Sequence, residues 1–226
     1  AVVSYDPALG YEVAHLVSRG IERMYGKDNE AIMYYLTVYN EPVHQPAEPE
    51  DLDVEGLHKG IYHFNTAEGG SIAANILASG VGVHEALRAQ QMLADDFDVK
   101  ASIFSVTSWN ELARDGARRN KEALRKGEEP SEAFATSQLK DFEGPFVGVS
   151  DFTTELQEQI RPYVPGTYIT LGADGFGFSD TREGARRFFN NDAESIVVAV
   201  LDGLARDGKI ERSVVEKAAS ELKLDD

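Results

Sequence analysis

His44 and Glu41 are the side chains whose types and spacing best suit chemistry in this sequence. Both lie in the segment Asn40–Pro46, which follows a short apolar run and contains prolines at positions 42 and 46. Proline restricts the backbone, so these side chains are expected to be held in defined positions. A histidine and a carboxylate in one loop can act as a general acid or base, or stabilise charge. The residue types alone leave a second interpretation open, a polar surface loop without a catalytic role.

Two glycine-rich segments are further candidates. Gly80–Gly82 lies between a predicted strand and a predicted helix, where backbone N–H groups can bind phosphate. Glu85 stands where the dinucleotide-binding fingerprint has its third glycine, and its charge would repel a pyrophosphate, so we expect a structural turn. The segment Asp174–Arg182 follows the last predicted strand, where open α/β sheets tend to carry functional loops. We interpret it as a turn in which Asp180 caps the next helix.

Composition and charge exclude several classes of protein. The formal net charge of −17 argues against a nucleic-acid-binding protein, because phosphate binding requires clustered Lys and Arg. Apolar runs are far shorter than the ~20 residues that span a bilayer, and no secretory signal opens the sequence. The five histidines lack metal-ligand spacing, so no metal site is expected. The absence of cysteine excludes disulfides and cysteine nucleophiles and is consistent with a cytoplasmic protein.

The elements that must position these residues form an α/β pattern. Strands are predicted at 31–38, 72–79, 99–105, 146–149 and 167–171. Helices are predicted at 7–25 (capped by Asp6), 83–97, 110–126, 181–189 and 194–206, with two more opened by Ser150-Asp151 and by a capping box at 213–216. This alternation predicts an α/β fold with a mostly parallel sheet and helices on both faces. The acidic, proline-rich stretch 41–56 is a connector, which places a domain boundary near residue 56.

Several segments taken together resemble one enzyme family. They are Ser4–Pro7, Tyr11–Val13, Glu22–Gly26, Tyr34–Thr37 with Asn40, Glu41 and His44, Gly60–Tyr62, Ser105–Ser108, Glu111–Gly116 and Asp174–Arg182. In this order they resemble the homodimeric, bacterial type of pyruvate dehydrogenase first component, a transketolase-like enzyme that depends on thiamine diphosphate. The resemblance covers essentially the whole chain, and the combination is more specific than any single motif.

This resemblance implies an architecture and a site. Residues 1–56 correspond to the end of a pyrimidine-binding α/β domain with its connector, and residues 57–226 to a complete transketolase-like C-terminal domain. His44 is then expected to line the active-site cavity, where it contacts substrate or assists proton transfer during acetyl transfer. Glu41 is expected to lie near the cofactor and to couple to the other site of the homodimer.

The resemblance also implies cofactors and partners. Enzymes of this family decarboxylate pyruvate with thiamine diphosphate and Mg²⁺, then reductively acetylate the lipoyl group of the dihydrolipoyl acyltransferase in a multienzyme complex. Their Gly-Asp-Gly metal motif is absent here, because Arg114 precedes Asp115 and Leu201 precedes Asp202. We therefore expect a C-terminal fragment that binds neither group by itself, is inactive alone and depends on the N-terminal part of the same chain.

Two alternatives stay open. A related enzyme acting on another 2-oxo acid or on a sugar phosphate would share the architecture, although no basic phosphate clamp is evident near His44. The chain could instead be a non-catalytic module for dimerisation or partner binding, with the basic helix at 110–126 facing an acidic partner surface.

Overall fold

Strands and helices alternate along most of the chain. The computed structural model describes residues 1–27 and 29–224. Its strands are β1 (Val2–Tyr5), β2 (Met33–Leu36), β3 (Tyr62–Thr66), β4 (Ile72–Ala78), β5 (Val99–Ser105), β6 (Phe146–Val149) and β7 (Tyr168–Leu171). Its helices are α1 (Gly10–Tyr25), α2 (Val54–Lys59), α3 (Gly82–Phe97), α4 (Trp109–Lys126), α5 (Phe134–Leu139), α6 (Thr154–Glu158), α7 (Arg182–Phe188), α8 (Ala193–Arg206) and α9 (Arg212–Glu221), with a 3₁₀ turn at Arg161–Tyr163. None of the helices within these residues is long and apolar enough to cross a membrane.

Five strands form the central sheet, in the order β3-β5-β4-β6-β7. Strands β4, β5, β6 and β7 run parallel, and β3 pairs with β5 in the antiparallel direction at one edge. Successive side chains of a strand point to opposite faces. Accordingly, Ile76 packs with residues of α3, α8 and α9, whereas Leu77 packs with residues of α4 and α5. The predicted α/β fold, a mostly parallel sheet with helices on both faces, is therefore confirmed.

Helix α4 shows how the sequence sets the limits of an element. The Ser108 hydroxyl accepts a hydrogen bond from the Glu111 N–H at 3.1 Å, which satisfies a free donor of the first turn. Gly127 ends the helix with a φ of 68°, a left-handed conformation that glycine adopts without strain. Trp109 and Leu112 are buried against the sheet. The caps and the apolar face thus favour the same helix.

The N-terminal segment forms a second, two-stranded parallel sheet from β1 and β2. Two buried carboxylates fasten it to the central sheet. Glu12 accepts hydrogen bonds from the hydroxyls of Tyr62 and Ser105 at 2.7 and 2.5 Å. Asp6 accepts one from the Ser79 hydroxyl at 2.8 Å. A buried carboxylate is strongly destabilising unless it is hydrogen-bonded, so these contacts hold the segment against the central sheet.

The predicted start of the first helix is wrong. The sequence indicates Asp6 as the cap of a helix from residue 7, whereas α1 begins at Gly10. Asp6 is buried and accepts hydrogen bonds from distant hydroxyls instead. The Glu12 carboxylate accepts from the N–H groups of Ala8 and Leu9 at 2.6 and 3.0 Å at the start of the helix. A capping motif is recognised from neighbouring residues alone. It does not reveal that the Asp6 side chain is engaged by distant residues of the fold.

Two further capping predictions are wrong. The Ser150 side chain is buried and accepts a hydrogen bond from the Gln157 amide at 2.7 Å, so α6 begins only after Thr153. Helix α9 begins at Arg212 without a side-chain capping bond, so the capping box at 213–216 does not form. The sequence also does not predict β1, α2 and α5, and α2 begins at Val54, inside the stretch 41–56 that the sequence assigns to a connector.

Candidate functional site

The loop after β2 brings Glu41 against helix α7. Arg186 approaches its carboxylate with two nitrogens, since Nη2 lies 2.5 Å from Oε2 and Nη1 lies 3.3 Å from Oε1. The Nε of Arg182 lies 3.6 Å from Oε2. A guanidinium that contacts both carboxylate oxygens makes one of the stronger ion pairs in proteins. The hydrogen bond to Arg186 holds the pKa of Glu41 below its usual range, so Glu41 is an anion.

His44 is exposed three residues further along the same loop. The loop is anchored on both sides of it. The Gln45 Oε1 accepts a hydrogen bond from the Gly10 N–H at 2.9 Å, and the Asn40 Oδ1 accepts one from Arg182 Nη2 at 2.9 Å. The imidazole is therefore presented to solvent from an anchored loop. The contacts of Glu41 are with arginines rather than with His44, so the two predicted residues share a loop but do not form a pair.

Tyr39 anchors the start of this loop on the buried carboxylate of Asp6. The Tyr39 hydroxyl donates to Asp6 Oδ1 at 2.8 Å, and the Thr37 hydroxyl donates to the same oxygen at 2.5 Å. Ser79, in the turn after β4, donates to Oδ2 at 2.8 Å. Burial raises the pKa of Asp6, and these three hydroxyl donors oppose that rise. Asp6 thus joins the loop to the end of a central strand.

The Gly80–Gly82 turn packs directly on this cluster. Gly80 has a φ of 52°, and a Cβ added there would lie 2.2 Å from the Tyr39 hydroxyl oxygen and 2.8 Å from Asp6 Oδ2. Both the left-handed backbone and the close approach require glycine. The space beside Gly80 that a phosphate would need is filled by Tyr39. This contact supports the interpretation of the segment as a structural turn.

Arg186 is a central residue of this arrangement that the sequence does not single out. Its side chain is only 15% exposed, and its Nη1 also lies 3.5 Å from Glu85 Oε1. Glu85 in turn accepts a hydrogen bond from the Ala193 N–H at 3.1 Å. Arg182 and Arg186 are four residues apart on α7, a spacing that puts them on one face of the helix. Paired arginines directly after a glycine-rich segment are the signal that could have identified them.

A cavity of about 270 Å³ opens beside Glu41. Its walls include Tyr39, Asn40, Glu41, Asp151, Arg182 and Arg186. The pKa of Asp151 is raised to about 6, because the packed surroundings desolvate its carboxyl even though part of the side chain reaches solvent. The positive charge of Arg186 opposes this rise, and the negative charges of Asp6, Glu41 and Glu85 add to it. A carboxyl that titrates near neutral pH in a cavity is a candidate for proton transfer. Sequence reasoning treats Asp151 as part of a helix cap, and no local pattern distinguishes it.

The predicted cap of α7 is wrong by one residue. Thr181 caps the helix, with its hydroxyl accepting from the Gly184 N–H at 3.1 Å. The Asp180 carboxylate accepts from the Thr181 N–H at 2.7 Å instead. Phe176, earlier in the same segment, is 98% exposed. The glycine-rich segment is therefore a solvent-exposed turn that leads into the helix carrying the site arginines.

A larger cavity of about 860 Å³ lies between α1, α2 and α4. Six of its lining side chains are cationic and three are acidic: Arg19, Arg23, Lys59, Arg114, Arg118 and Arg119, against Glu55, Glu111 and Asp115. We call it the basic cavity. Asp115 pairs with Arg118 and Arg119 at 2.6 and 2.7 Å, so part of the positive charge is neutralised within α4. The other four cations are paired as well, Arg19 with Glu22, Arg23 with Glu30, Lys59 with Glu55 and Arg114 with Glu111. The cavity therefore gathers cationic side chains in an acidic chain, and each of them already has a carboxylate partner.

Two protein families match the chain, one after the other. Residues 60–192 match the transketolase-like C-terminal domain, and residues 1–46 match the middle domain of the pyruvate dehydrogenase E1 component. Over its full length the chain is 63% identical to the pyruvate dehydrogenase E1 component of Corynebacterium glutamicum and 54% identical to that of Mycobacterium tuberculosis. Over 99% of its length it is 41% identical to that of Escherichia coli K12. The chain spans about a quarter of the length of these curated relatives.

Solved transketolase structures share the fold. The transketolase of Pichia stipitis in complex with sedoheptulose 7-phosphate superposes with a TM-score of 0.61 at 19% identity, over 92% of this chain and 26% of that one. The transketolase of Campylobacter jejuni gives a TM-score of 0.56 at 16% identity, over 89% of this chain and 26% of that one. Identities this low indicate a common fold and carry no information about substrate.

Proposed function

Since this chain belongs to the transketolase-like C-terminal domain family, we propose that it forms the C-terminal part of a pyruvate dehydrogenase E1 component. The intact enzyme decarboxylates pyruvate oxidatively and reductively acetylates the lipoyl group of a dihydrolipoyl acyltransferase. Similarity to three E1 components along the chain supports this proposal. The observation that carries it is the 63% identity to an E1 component over the whole chain. The contact of Glu41 with Arg186 adds that the loop with both predicted site residues is anchored on helix α7.

We propose different roles for the two loop residues. Glu41 accepts two contacts from Arg186 and stays ionised, so it supplies negative charge near the cofactor. A carboxylate without a proton cannot act as an acid. Histidine is the side chain most often used for proton transfer, and His44 is exposed on the same anchored loop. His44 therefore contacts the substrate or moves a proton during acetyl transfer.

We propose that the intact enzyme uses thiamine diphosphate and Mg²⁺ and that the rest of the longer chain binds them. When bound, thiamine supplies the electron sink for the loss of carbon dioxide. The residues of this chain do not fit the metal: within residues 1–27 and 29–224, no three His, Asp or Glu side chains are grouped to hold an ion. The sequence also contains no Gly-Asp-Gly. This chain therefore contributes one edge of the active site, and no step is assigned to a metal or cofactor that it holds.

We further propose that residues 1–56 end a pyrimidine-binding domain and that residues 57–226 form the C-terminal domain. The separate family matches to residues 1–46 and 60–192 support this division, as do the two separate sheets. The intact enzyme is proposed to be a cytoplasmic homodimer that binds the lipoyl domain of the acyltransferase. The N-terminal part of the same chain is its third partner, and we expect it to cover the exposed apolar side chains of Ile21, Met33 and Tyr35.

A substrate comparison tests this function. The intact enzyme would be given pyruvate, 2-oxoglutarate and a ketose phosphate in turn, with a lipoyl domain as the acceptor for the oxo acids. We expect pyruvate to be decarboxylated and the lipoyl group to be acetylated, with much slower turnover of the other two. Preference for 2-oxoglutarate or for the ketose phosphate would replace the proposal with a related 2-oxo acid dehydrogenase or a transketolase-type enzyme.

The basic cavity favours a second function, the docking of an acidic partner surface. Charge complementarity of this kind speeds and directs association. Arg118→Glu with Arg119→Glu should weaken binding of the intact enzyme to the acyltransferase and reduce its salt dependence. Lys121→Glu with Arg125→Glu is the matched control, since both residues are exposed on the same helix and lie outside the cavity lining. Equal effects of the two pairs, or binding that is independent of salt, would contradict this function.

A further inference from the structure

Arg186 joins two carboxylates from distant parts of the chain. Glu41, in the loop after β2, lies 2.5 Å from Nη2, and Glu85, on α3, lies 3.5 Å from Nη1. The side chain of Arg186 is 15% exposed, and those of Glu41 and Glu85 are 21% and 10% exposed. Solvent and salt screen such partly buried contacts much less than surface ion pairs. The cluster is therefore able to hold a defined geometry.

Glu85 fixes Arg186 from the side opposite the loop. Its Oε2 accepts a hydrogen bond from the Ala193 N–H at 3.1 Å, at the start of α8. Arg88 donates to the same oxygen at 2.8 Å. The N-terminal end of a helix favours a carboxylate, because its free N–H groups carry partial positive charge. Arg186 thus has a fixed partner on the central domain, and the Glu41 carboxylate takes its position from Arg186.

The attachment of the loop does not depend on Arg186 alone. The Tyr39 hydroxyl bonds Asp6 at 2.8 Å on one side of Glu41, and Gln45 bonds the Gly10 N–H at 2.9 Å on the other. Removal of the guanidinium would therefore release the Glu41 carboxylate while the loop stays attached. The charged or titratable groups that face Glu41 are Arg182 and Arg186 on α7, His84 on α3 and Asp151 after β6.

We infer that Arg186 is a positioning residue: it holds Glu41 as an anion in one orientation, so that the loop carrying His44 meets the substrate in a fixed geometry. This inference rests on the proposed function, because it gives Glu41 a part in that reaction. Arginine suits the role better than lysine. Its planar guanidinium contacts both oxygens of a carboxylate and fixes their plane, whereas an ammonium group is a point charge on a flexible stem.

Kinetics of three variants of the intact enzyme test the inference. We expect Arg186→Met to lower kcat for lipoyl acetylation about tenfold or more with little change in KM for pyruvate, because a misplaced group mainly affects the reacting geometry. Arg186→Lys should recover part of the rate. The matched control is Arg206→Met, since Arg206 is 56% exposed and pairs with Asp202 rather than with Glu41 or Glu85; it should keep the wild-type rate. Wild-type kcat in Arg186→Met would overturn the inference.

The pH profile separates positioning from stability. Without the guanidinium, the pKa of Glu41 should return towards the usual range for a carboxyl, so the acid limb of the rate profile should move to higher pH in Arg186→Met. Arg186→Lys keeps the charge and should show a smaller displacement. An acid limb that stays in place in both variants would count against Arg186 as the residue that keeps Glu41 ionised.

A crystal structure of the Arg186→Met enzyme separates this inference from the proposed function. We expect the Glu41 side chain to leave its position, while the backbone of residues 39–45 superposes on that of the wild-type enzyme. If the wild-type enzyme does not act on pyruvate, the proposed function fails, and the position of Glu41 still decides the role of Arg186. A Glu41 carboxylate that keeps its place would overturn the inference. Arg186→Lys supplies the same comparison where the methionine variant does not fold.

Discussion

We propose that Glu41 and His44 divide charge and proton transfer between two positions of one loop. Arg186 holds Glu41 ionised, so Glu41 can attract a cation or accept a hydrogen bond but has no proton to give. His44, three residues later, is exposed and available to the substrate. The family resemblance implies that both residues belong to the active site, and in our proposal their different surroundings give them different tasks.

His44→Ala tests this division in the intact enzyme. We expect acetyl transfer to the lipoyl group to slow by roughly 10²-fold, the low end of the usual contribution of a general acid or base. The affinity for Mg²⁺ and thiamine diphosphate should stay nearly unchanged, because those groups are proposed to bind elsewhere. Rapid-quench kinetics and calorimetry measure the two effects. His15→Ala is a suitable control, since His15 on α1 pairs with Glu48 instead. An unchanged transfer rate in His44→Ala would contradict its assigned role.

Asp151 gives a test by pH. Its pKa in the folded protein, raised to about 6, lies above its ordinary value of 3.8, so the folded state binds this proton more tightly than the unfolded state does. Asp151 therefore lowers the free energy of unfolding as pH rises from about 4 to 6. In urea titrations, the stability of Asp151→Asn relative to wild type should increase over this interval. A difference in stability between Asp151→Asn and wild type that does not change with pH would contradict the raised pKa.

Sequence reasoning finds part of this site and cannot find the rest. Glu41 and His44 are recognisable because two prolines and a neighbouring strand mark their loop. The partner of Glu41 lies 145 residues away, and no local spacing records that contact. Asp151 has no distinguishing pattern in the sequence, because its pKa depends first on desolvation and then on Arg186 and the carboxylates that the fold brings around it.

At the scale of elements, the turn after β4 couples the central sheet to the site. Gly80 lies against the Tyr39 hydroxyl and Asp6, and its backbone is left-handed. We expect Gly80→Ala to lower the free energy of unfolding by roughly 2–5 kcal/mol, through the left-handed backbone and the forced displacement of Tyr39. Urea denaturation of the folded chain measures the loss.

Gly127→Ala is the matched control for this prediction. Gly127 also has a positive φ, of 68°, but a Cβ there would meet no atom within 4 Å among those that the structure describes. Replacement of Gly127 by alanine should lower the free energy of unfolding by roughly 1–2 kcal/mol, which is the cost of the left-handed backbone alone. Losses of the same size in both variants would mean that the contact of Gly80 with Tyr39 contributes nothing.

Apart from the start of α1, which lies three residues later than predicted, the long, periodic elements are predicted within one or two residues. The strand predicted at 99–105 is observed as Val99–Ser105, and the helix predicted at 83–97 as Gly82–Phe97. The strand predicted at 31–38 is observed only at Met33–Leu36, because in the structure it has a single neighbouring strand, β1. Side chains near helix ends are polar, so a buried hydrogen-bond network such as that of Asp6 can engage them in place of a helix cap. Local sequence motifs do not reveal this competition.

At the scale of the whole molecule, we propose that the chain is one side of a larger site. Its length is about a quarter of that of its E1 relatives. The Glu41–His44 loop lies where the N-terminal segment meets helix α7, and the apolar side chains of Met33 and Tyr35 on β2 are 60% and 57% exposed. These features agree with a catalytic loop that faces cofactor-binding residues supplied by the rest of the enzyme.

Calorimetric titration with Mg²⁺ and thiamine diphosphate tests this division most directly. The isolated chain, shown to be folded by a cooperative thermal transition, would be compared with the intact enzyme under the same conditions. The account predicts saturable binding to the intact enzyme and no binding heat with the isolated chain. Saturable binding to the isolated chain would contradict it, and would return the glycine-rich segments at 80–82 and 174–182 to consideration as cofactor sites.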